Sequence, residues 1–135
     1  MAAGGEFTAI RSFGDLRHDD VAWAGGKGAN LGELSFAAMP VPRGFVIGAP
    51  AFARFCDESG LRDRLHGLLD PVDPHDSAAL EAAAARAREL VESTPLPEWA
   101  ADAIEREYAA VAGSGADPVA VRSSATSEDT SAASF

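Results

Sequence analysis

Hydrophobic side chains recur along this chain at more than one spacing, and the changes of spacing mark its elements. Phe7-Thr8-Ala9-Ile10 is a short apolar run with β-branched members, which predicts an opening strand, and polar Gly14 to Asp20 forms a connection. From Trp23 a glycine-rich turn passes into a segment where Leu31, Leu34 and Ala38 return every three or four residues, the period of a helix. Met39-Pro40-Val41-Pro42 ends that helix, because each proline fixes φ and pushes the residue before it to extended geometry. Phe45-Val46-Ile47 then reads as a short buried strand.

The next residues are helical in pattern. Ala49 to Ser59, with Phe52 and Phe55 three apart, is a helix opened by Pro50 in its first turn and closed by Gly60. A second short helix covers Leu61 to Leu69, and Pro71, Pro74 and the aspartates between residues 70 and 76 make a loop. Ser77 to Glu92 is a long alanine-rich helix with Arg86, Arg88 and Glu89 on exposed faces, stopped by Pro95 and Pro97. Glu98 to Ala112 repeats Trp99, Ala103, Ile104, Tyr108 and Val111 on one face, and Gly113-Ser114-Gly115 ends it. Val119-Ala120-Val121 is a brief apolar strand that runs into polar, hydroxyl-rich Arg122 to Asp129. The whole is a mixed α+β pattern, helix-rich with short strands, without an internal repeat.

Composition narrows the function classes. The chain has 135 residues, 11 basic and 21 acidic side chains and a formal net charge of −10, which repels phosphate backbones and argues against a nucleic acid partner. The imbalance sits mostly in residues 61 to 135. No run approaches the roughly 18 apolar residues of a membrane-spanning helix, and the N-terminus lacks the basic start and apolar stretch of a signal peptide, so a cytoplasmic location is expected. A lone Cys56 neither closes an internal disulfide nor builds a zinc cluster, and its place beside Phe52 and Phe55 makes it a small packed residue.

The candidate chemistry is cationic. Ten arginines accompany a single lysine, Lys27, which stands among Gly25, Gly26 and Gly28. Glycines there suit a phosphate loop, since bare backbone N–H groups approach anionic oxygens and a following helix N-terminus adds favourable partial charge; a purely steric role for the glycines fits the same string. The Walker A spacing is not met, because Gly28 follows the lysine where Ser or Thr is required, nor is the dinucleotide fingerprint. Arg122 after the predicted strand offers a guanidinium fork that matches phosphate oxygens, with Ser123, Ser124 and Thr126 as added hydrogen-bonding groups; a surface pair with Glu128 or Asp129 is the alternative. The hypothesis is that two distant cations converge on one polyphosphate.

Three strings in order, Gly25-Gly26-Lys27-Gly28-Ala29-Asn30-Leu31-Gly32-Glu33-Leu34, Pro40-Val41-Pro42-Arg43-Gly44-Phe45-Val46 and Val121-Arg122-Ser123-Ser124-Ala125-Thr126-Ser127-Glu128-Asp129, closely resemble the N-terminal ATP-binding domain of phosphoenolpyruvate synthase, pyruvate phosphate dikinase and rifampicin phosphotransferase. The resemblance spans about residues 7 to 135, with Leu61 to Gly115 matching only in helical character. It implies the first nucleotide-binding subdomain of a partial ATP-grasp fold, with residues 1 to 135 the N-terminal part of that domain. Lys27 and Arg122 match the two basic residues that hold ATP phosphates, acting as electrostatic clamps and not as acid or base. In such enzymes the phosphoryl group passes to a histidine on a swivelling domain and then to pyruvate or a drug hydroxyl.

Two departures carry expectations. Ala38-Met39 stands where the family usually has Gly and an aliphatic residue before Pro-Val-Pro, so a left-handed helix cap is less comfortable here. Ser131 to Phe135 matches the start of the family's Ala-Ser-Phe-Ala-Gly-Gln element, and the remaining ATP contacts, the magnesium ligands, the second ATP-grasp half and the phosphohistidine domain are expected beyond it. His18, His66 and His75 resemble no phosphohistidine segment and read as solvated or locally bonded, while Trp23 and Trp99 read as packing residues. The chain is expected to be catalytically incomplete alone and prone to self-association through uncovered apolar surface. The competing class is a non-catalytic remnant that serves as a helical protein-interaction module.

Overall fold

The computed structural model describes residues 7–113 and 117–126. Its elements are β1 (Ile10–Ser12), α1 (Val21–Phe36), β2 (Phe45–Ile47), α2 (Ala49–Glu58), α3 (Leu61–Leu69), α4 (Ser77–Ser93) and α5 (Glu98–Ala112), with single 3-10 turns at Phe13–Asp15 and His18–Asp20. Helices dominate, and β1 pairs antiparallel with β2 in the register Ile10 to Ile47, Arg11 to Val46 and Ser12 to Phe45. The fold is mixed α+β, as the pattern predicts. The chain divides into two compact units, one formed by residues up to Phe52 together with those from Glu98 onward, the other by Ala53–Pro97.

In the first unit, residues 11–20 wrap on α1. Leu16 is fully buried, and a methyl placed at Gly32 would lie 2.5 Å from the Leu16 Cβ and 2.7 Å from its carbonyl oxygen, so only glycine admits this approach. Asp20 closes the wrap by accepting hydrogen bonds from the Arg11 guanidinium (3.2 Å) and the Arg17 backbone N–H (2.8 Å). Arg11 also covers the Trp23 ring at 4.4 Å, and Arg17 lies 4.2 Å from the centre of Phe36. Trp23 packs close against Gly48, and Trp99 meets Phe7 edge-to-face at 5.5 Å, so both tryptophans are packing residues.

Three expectations change in this unit. The first strand begins at Ile10, not Phe7, because its ladder extends only as far as the three-residue β2. As a separate finding, the buried residues of α1 are Ala24, Gly25, Gly26, Gly28, Ala29 and Gly32, whereas Leu34 is 44% exposed, so the face of small residues is turned inward. Val119-Ala120-Val121 is irregular and not a strand; it pairs with no ladder among the described residues, and Val121 is 92% exposed. β2 forms at Phe45–Ile47 but is not the buried strand expected: Phe45 and Val46 are half-buried and Ile47 is 49% exposed, because a two-stranded sheet leaves much of its surface uncovered.

The end of α1 is a Schellman turn. Ala38 N–H donates to the Ser35 carbonyl at 3.1 Å and Met39 N–H to the Leu34 carbonyl at 3.0 Å, with Ala38 at φ 56°. The left-handed cap anticipated from the sequence is therefore formed by an alanine, at a steric cost of about 1 kcal/mol relative to glycine. Beyond the turn, Arg43 of the Pro-Val-Pro-Arg segment donates to the Val111 carbonyl in the last turn of α5, where a cation is favourable.

The second unit packs by ordinary helical periodicity. Phe55 and Cys56 of α2 and Leu61 of α3 form its buried cluster, flanked by Leu65, Leu90 and Val91. Asp76 caps α4 by accepting from the Ala79 N–H at 3.0 Å, and Arg86, Arg88 and Glu89 are exposed as their positions on the helix predict. Burying Leu61 completely is worth about 1.5–3 kcal/mol. Among the described residues no helix is long and apolar enough to cross a membrane.

Candidate functional site

The glycine-rich string sits at a kink between two helical runs of α1 and opens the second of them, as the sequence pattern suggests. Helical geometry starts at Val21, breaks at Gly25 (φ 73°, ψ 168°) and resumes through Phe36. That backbone combination is essentially restricted to glycine. The break turns the Ala24 carbonyl and the Gly26 and Gly28 N–H groups away from intrahelical partners and leaves Lys27, half-buried, between the two amides.

The segment that carries Arg122 fills this gap. Ser124 Oγ donates to the Ala24 carbonyl at 2.8 Å and accepts from the Gly28 N–H at 3.1 Å. Gly26 N–H donates to the Ala125 carbonyl at 3.1 Å. The approach is tight, since a methyl at Gly25 would sit 2.5 Å from the Ser124 carbonyl oxygen and 2.7 Å from its carbon. Tyr108 of α5 donates to the Asp117 carbonyl at 3.4 Å nearer the start of the same segment. Two residues of extended chain span at most about 7 Å, so the backbone of exposed Arg122 is close to the loop that holds Lys27. The two cation-bearing segments, ninety-five positions apart in sequence, thus meet within one compact unit.

This geometry redistributes the roles expected of individual groups. The Gly26 and Gly28 amides donate to Ala125 and Ser124, so they do not form the open amide cradle that the glycine spacing suggested. The Ser124 hydroxyl is directed into the loop, not outward beside the Arg122 side chain, while Ser123 and Thr126 are exposed. Of the two cations, Lys27 is half-buried in the loop and Arg122 is exposed on the arm. The alternative partners of Arg122, Glu128 and Asp129, and the Ser131 to Phe135 element lie outside the described residues. Sequence reasoning missed the bridging role of Ser124, because in the string Arg122 to Thr126 its hydroxyl has the same credentials as its neighbours.

Among the described residues the histidines and the cysteine gather into no second site. His18 donates its backbone N–H to Glu33, His66 is 3.5 Å from Asp70 with both exposed, and His75 donates its backbone N–H to Asp73. Burial pushes the Cys56 thiol above its usual range, with nearby Arg62 opposing the shift. Among the described residues no three His, Cys, Asp or Glu side chains are grouped so as to hold a metal ion. A cleft of about 330 Å³ in the helical unit is lined by Phe55, Ser59, Arg64, Thr94 and Leu96, but its two hydroxyls donate to the Phe55 and Leu90 carbonyls of their own chain.

The segment that carries Arg122 is thus docked on the break in the glycine-rich helix. The chain belongs to the pyruvate phosphate dikinase AMP/ATP-binding domain family, whose pattern matches residues 21–135. It is 44% identical over 131 residues to the phosphoenolpyruvate synthase of Deinococcus radiodurans, covering 93% of this chain and 16% of that protein. It is 38% identical over 140 residues to the phosphoenolpyruvate synthase of Escherichia coli K12, covering 100% and 18%. A protein of Staphylothermus marinus named as a probable phosphoenolpyruvate synthase is 40% identical over 126 residues, covering 90% and 15%. The chain thus spans less than a fifth of the length of these three relatives.

Proposed function

We propose that the chain forms one wall of the ATP site of an ATP-grasp phosphotransferase of the phosphoenolpyruvate synthase kind, with Lys27 and Arg122 clamping the nucleotide phosphates. The observation that carries this reading is the docking of Ser124 and Ala125 on the Gly25 break, which gathers an ammonium and a guanidinium from distant positions into one unit of a domain family that binds AMP or ATP. Phosphoryl transfer depends chiefly on positioned cations around charged oxygens, and a lysine point charge beside a guanidinium fork suits that task. Magnesium would reach the site with the nucleotide, its protein ligands supplied from outside the described residues.

Residues 1 to 135 are in this reading the N-terminal part of the nucleotide-binding domain. The second ATP-grasp half and the histidine carrier belong to regions matching the rest of the longer relatives. The names of those relatives favour pyruvate as the final acceptor, by way of a phosphohistidine. Titration calorimetry with Mg-ATP tests the clamp: Lys27→Ala and Arg122→Ala are each expected to weaken binding at least about tenfold. Unchanged binding in both variants, or no binding at millimolar nucleotide, overturns the reading for this chain.

A further inference from the structure

We infer that Ser124 is a positioning residue for the phosphate-binding pair, an inference that rests on the reading of Lys27 and Arg122 given above. A hydroxyl has one proton and two lone pairs, and Ser124 directs the proton to the Ala24 carbonyl and one lone pair to the Gly28 N–H. These two groups lie on opposite sides of the Gly25 break, and Lys27 is held between Gly28 and the Gly26 amide that donates to Ala125. One side chain thus closes the loop that carries the lysine and seats the arm that carries the arginine. The close fit of Gly25 against the Ser124 carbonyl leaves no slack in that seating.

Among the described residues the arm has no regular secondary structure, and besides Ser124 it is held by the Tyr108 and Gly26 hydrogen bonds at Asp117 and Ala125. Residues 117–126 pair with no strand among the described residues, and Val121 next to Arg122 is almost fully exposed. Ser123 and Thr126, chemically similar, are exposed and do not share the role. Two cations recognise a polyphosphate productively only at a set separation, and a displacement of about 1 Å at such a site is costly. Ser124 sets that separation without touching the nucleotide.

The test compares Mg-ATP affinity across Ser124, Ser124→Ala and Ser124→Thr backgrounds, each with and without Arg122→Ala. Ser124→Ala is expected to weaken binding about tenfold, the loss of one to two hydrogen bonds, with the chain still folded by circular dichroism. In the Ser124→Ala background the further penalty of Arg122→Ala is expected to fall below about threefold, because an unseated arm no longer delivers its guanidinium. Ser124→Thr, which keeps the hydroxyl, restores both quantities. Amide exchange at Gly28 is expected to speed up at least about tenfold in Ser124→Ala without nucleotide present. A purely structural tie leaves the Arg122→Ala penalty equal in both backgrounds, and that result overturns the inference, as does unchanged affinity in folded Ser124→Ala. Failure of the underlying reading has a different signature, in which Arg122→Ala and Lys27→Ala leave binding unchanged with Ser124 intact, and it removes the inference as well.

Discussion

The unit around α1 and the unit Ala53–Pro97 solve the packing problem in opposite ways. Around α1 the buried surface is glycine and alanine, and the backbone of one segment rests directly on the backbone of another, as at Gly32 against Leu16 and Gly25 against Ser124. In Ala53–Pro97 the contacts are made by Phe55, Leu61, Leu65 and Leu90, side chains that only need to be apolar and of suitable size. Backbone-on-backbone contact tolerates one residue type at each position, whereas side-chain packing tolerates several. The three family strings all lie in the first unit.

Substitution at glycine separates the two modes. Gly32→Ala is expected to destabilise the chain by about 3 kcal/mol, since a methyl there meets the Leu16 backbone, which cannot move aside as a flexible side chain would. Urea unfolding followed by circular dichroism measures it, and a loss below 1 kcal/mol, on the order of an ordinary surface change, would mean that α1 is not packed backbone to backbone. A smaller effect of opposite sign is expected at the end of the same helix. Ala38→Gly relieves the left-handed strain of the Schellman turn and stabilises by about 1 kcal/mol in the same assay. The smallest effect is expected in the helical unit: Gly67 lies inside α3 with nothing near its missing Cβ, so Gly67→Ala stabilises by about 0.7 kcal/mol through helix propensity alone. Equal responses at Gly32 and Gly67 would erase the contrast between the units.

The same contrast explains which features were legible in the sequence. Helices α2 to α5 follow their expected spans because prolines at 50, 71, 74, 95 and 97 and Gly60 punctuate an otherwise strong helical pattern. Helical periodicity alone does not assign the inward face of α1, because Gly28 and Ala29 are buried there while the larger Leu34 is exposed. Val119-Ala120-Val121 has strand composition, but a strand needs a partner ladder, and that is decided by distant residues. For the candidate site, Lys27 and Arg122 stood out by composition and by resemblance. The bridge through Ser124 did not, because one hydroxyl among Ser123, Ser124 and Thr126 becomes distinct only once the Gly25 break supplies a carbonyl and an amide for it to join.

A clip made from a few hydrogen bonds opens more readily than the helices on which it rests. Its open form counts against any guest that needs both cations, because apparent affinity scales with the closed fraction. A nucleotide that spans the clip would raise that fraction by mass action, so the last ten described residues would become the most ligand-responsive part of the chain. Tight binding and a stiffened arm are then two readings of one equilibrium.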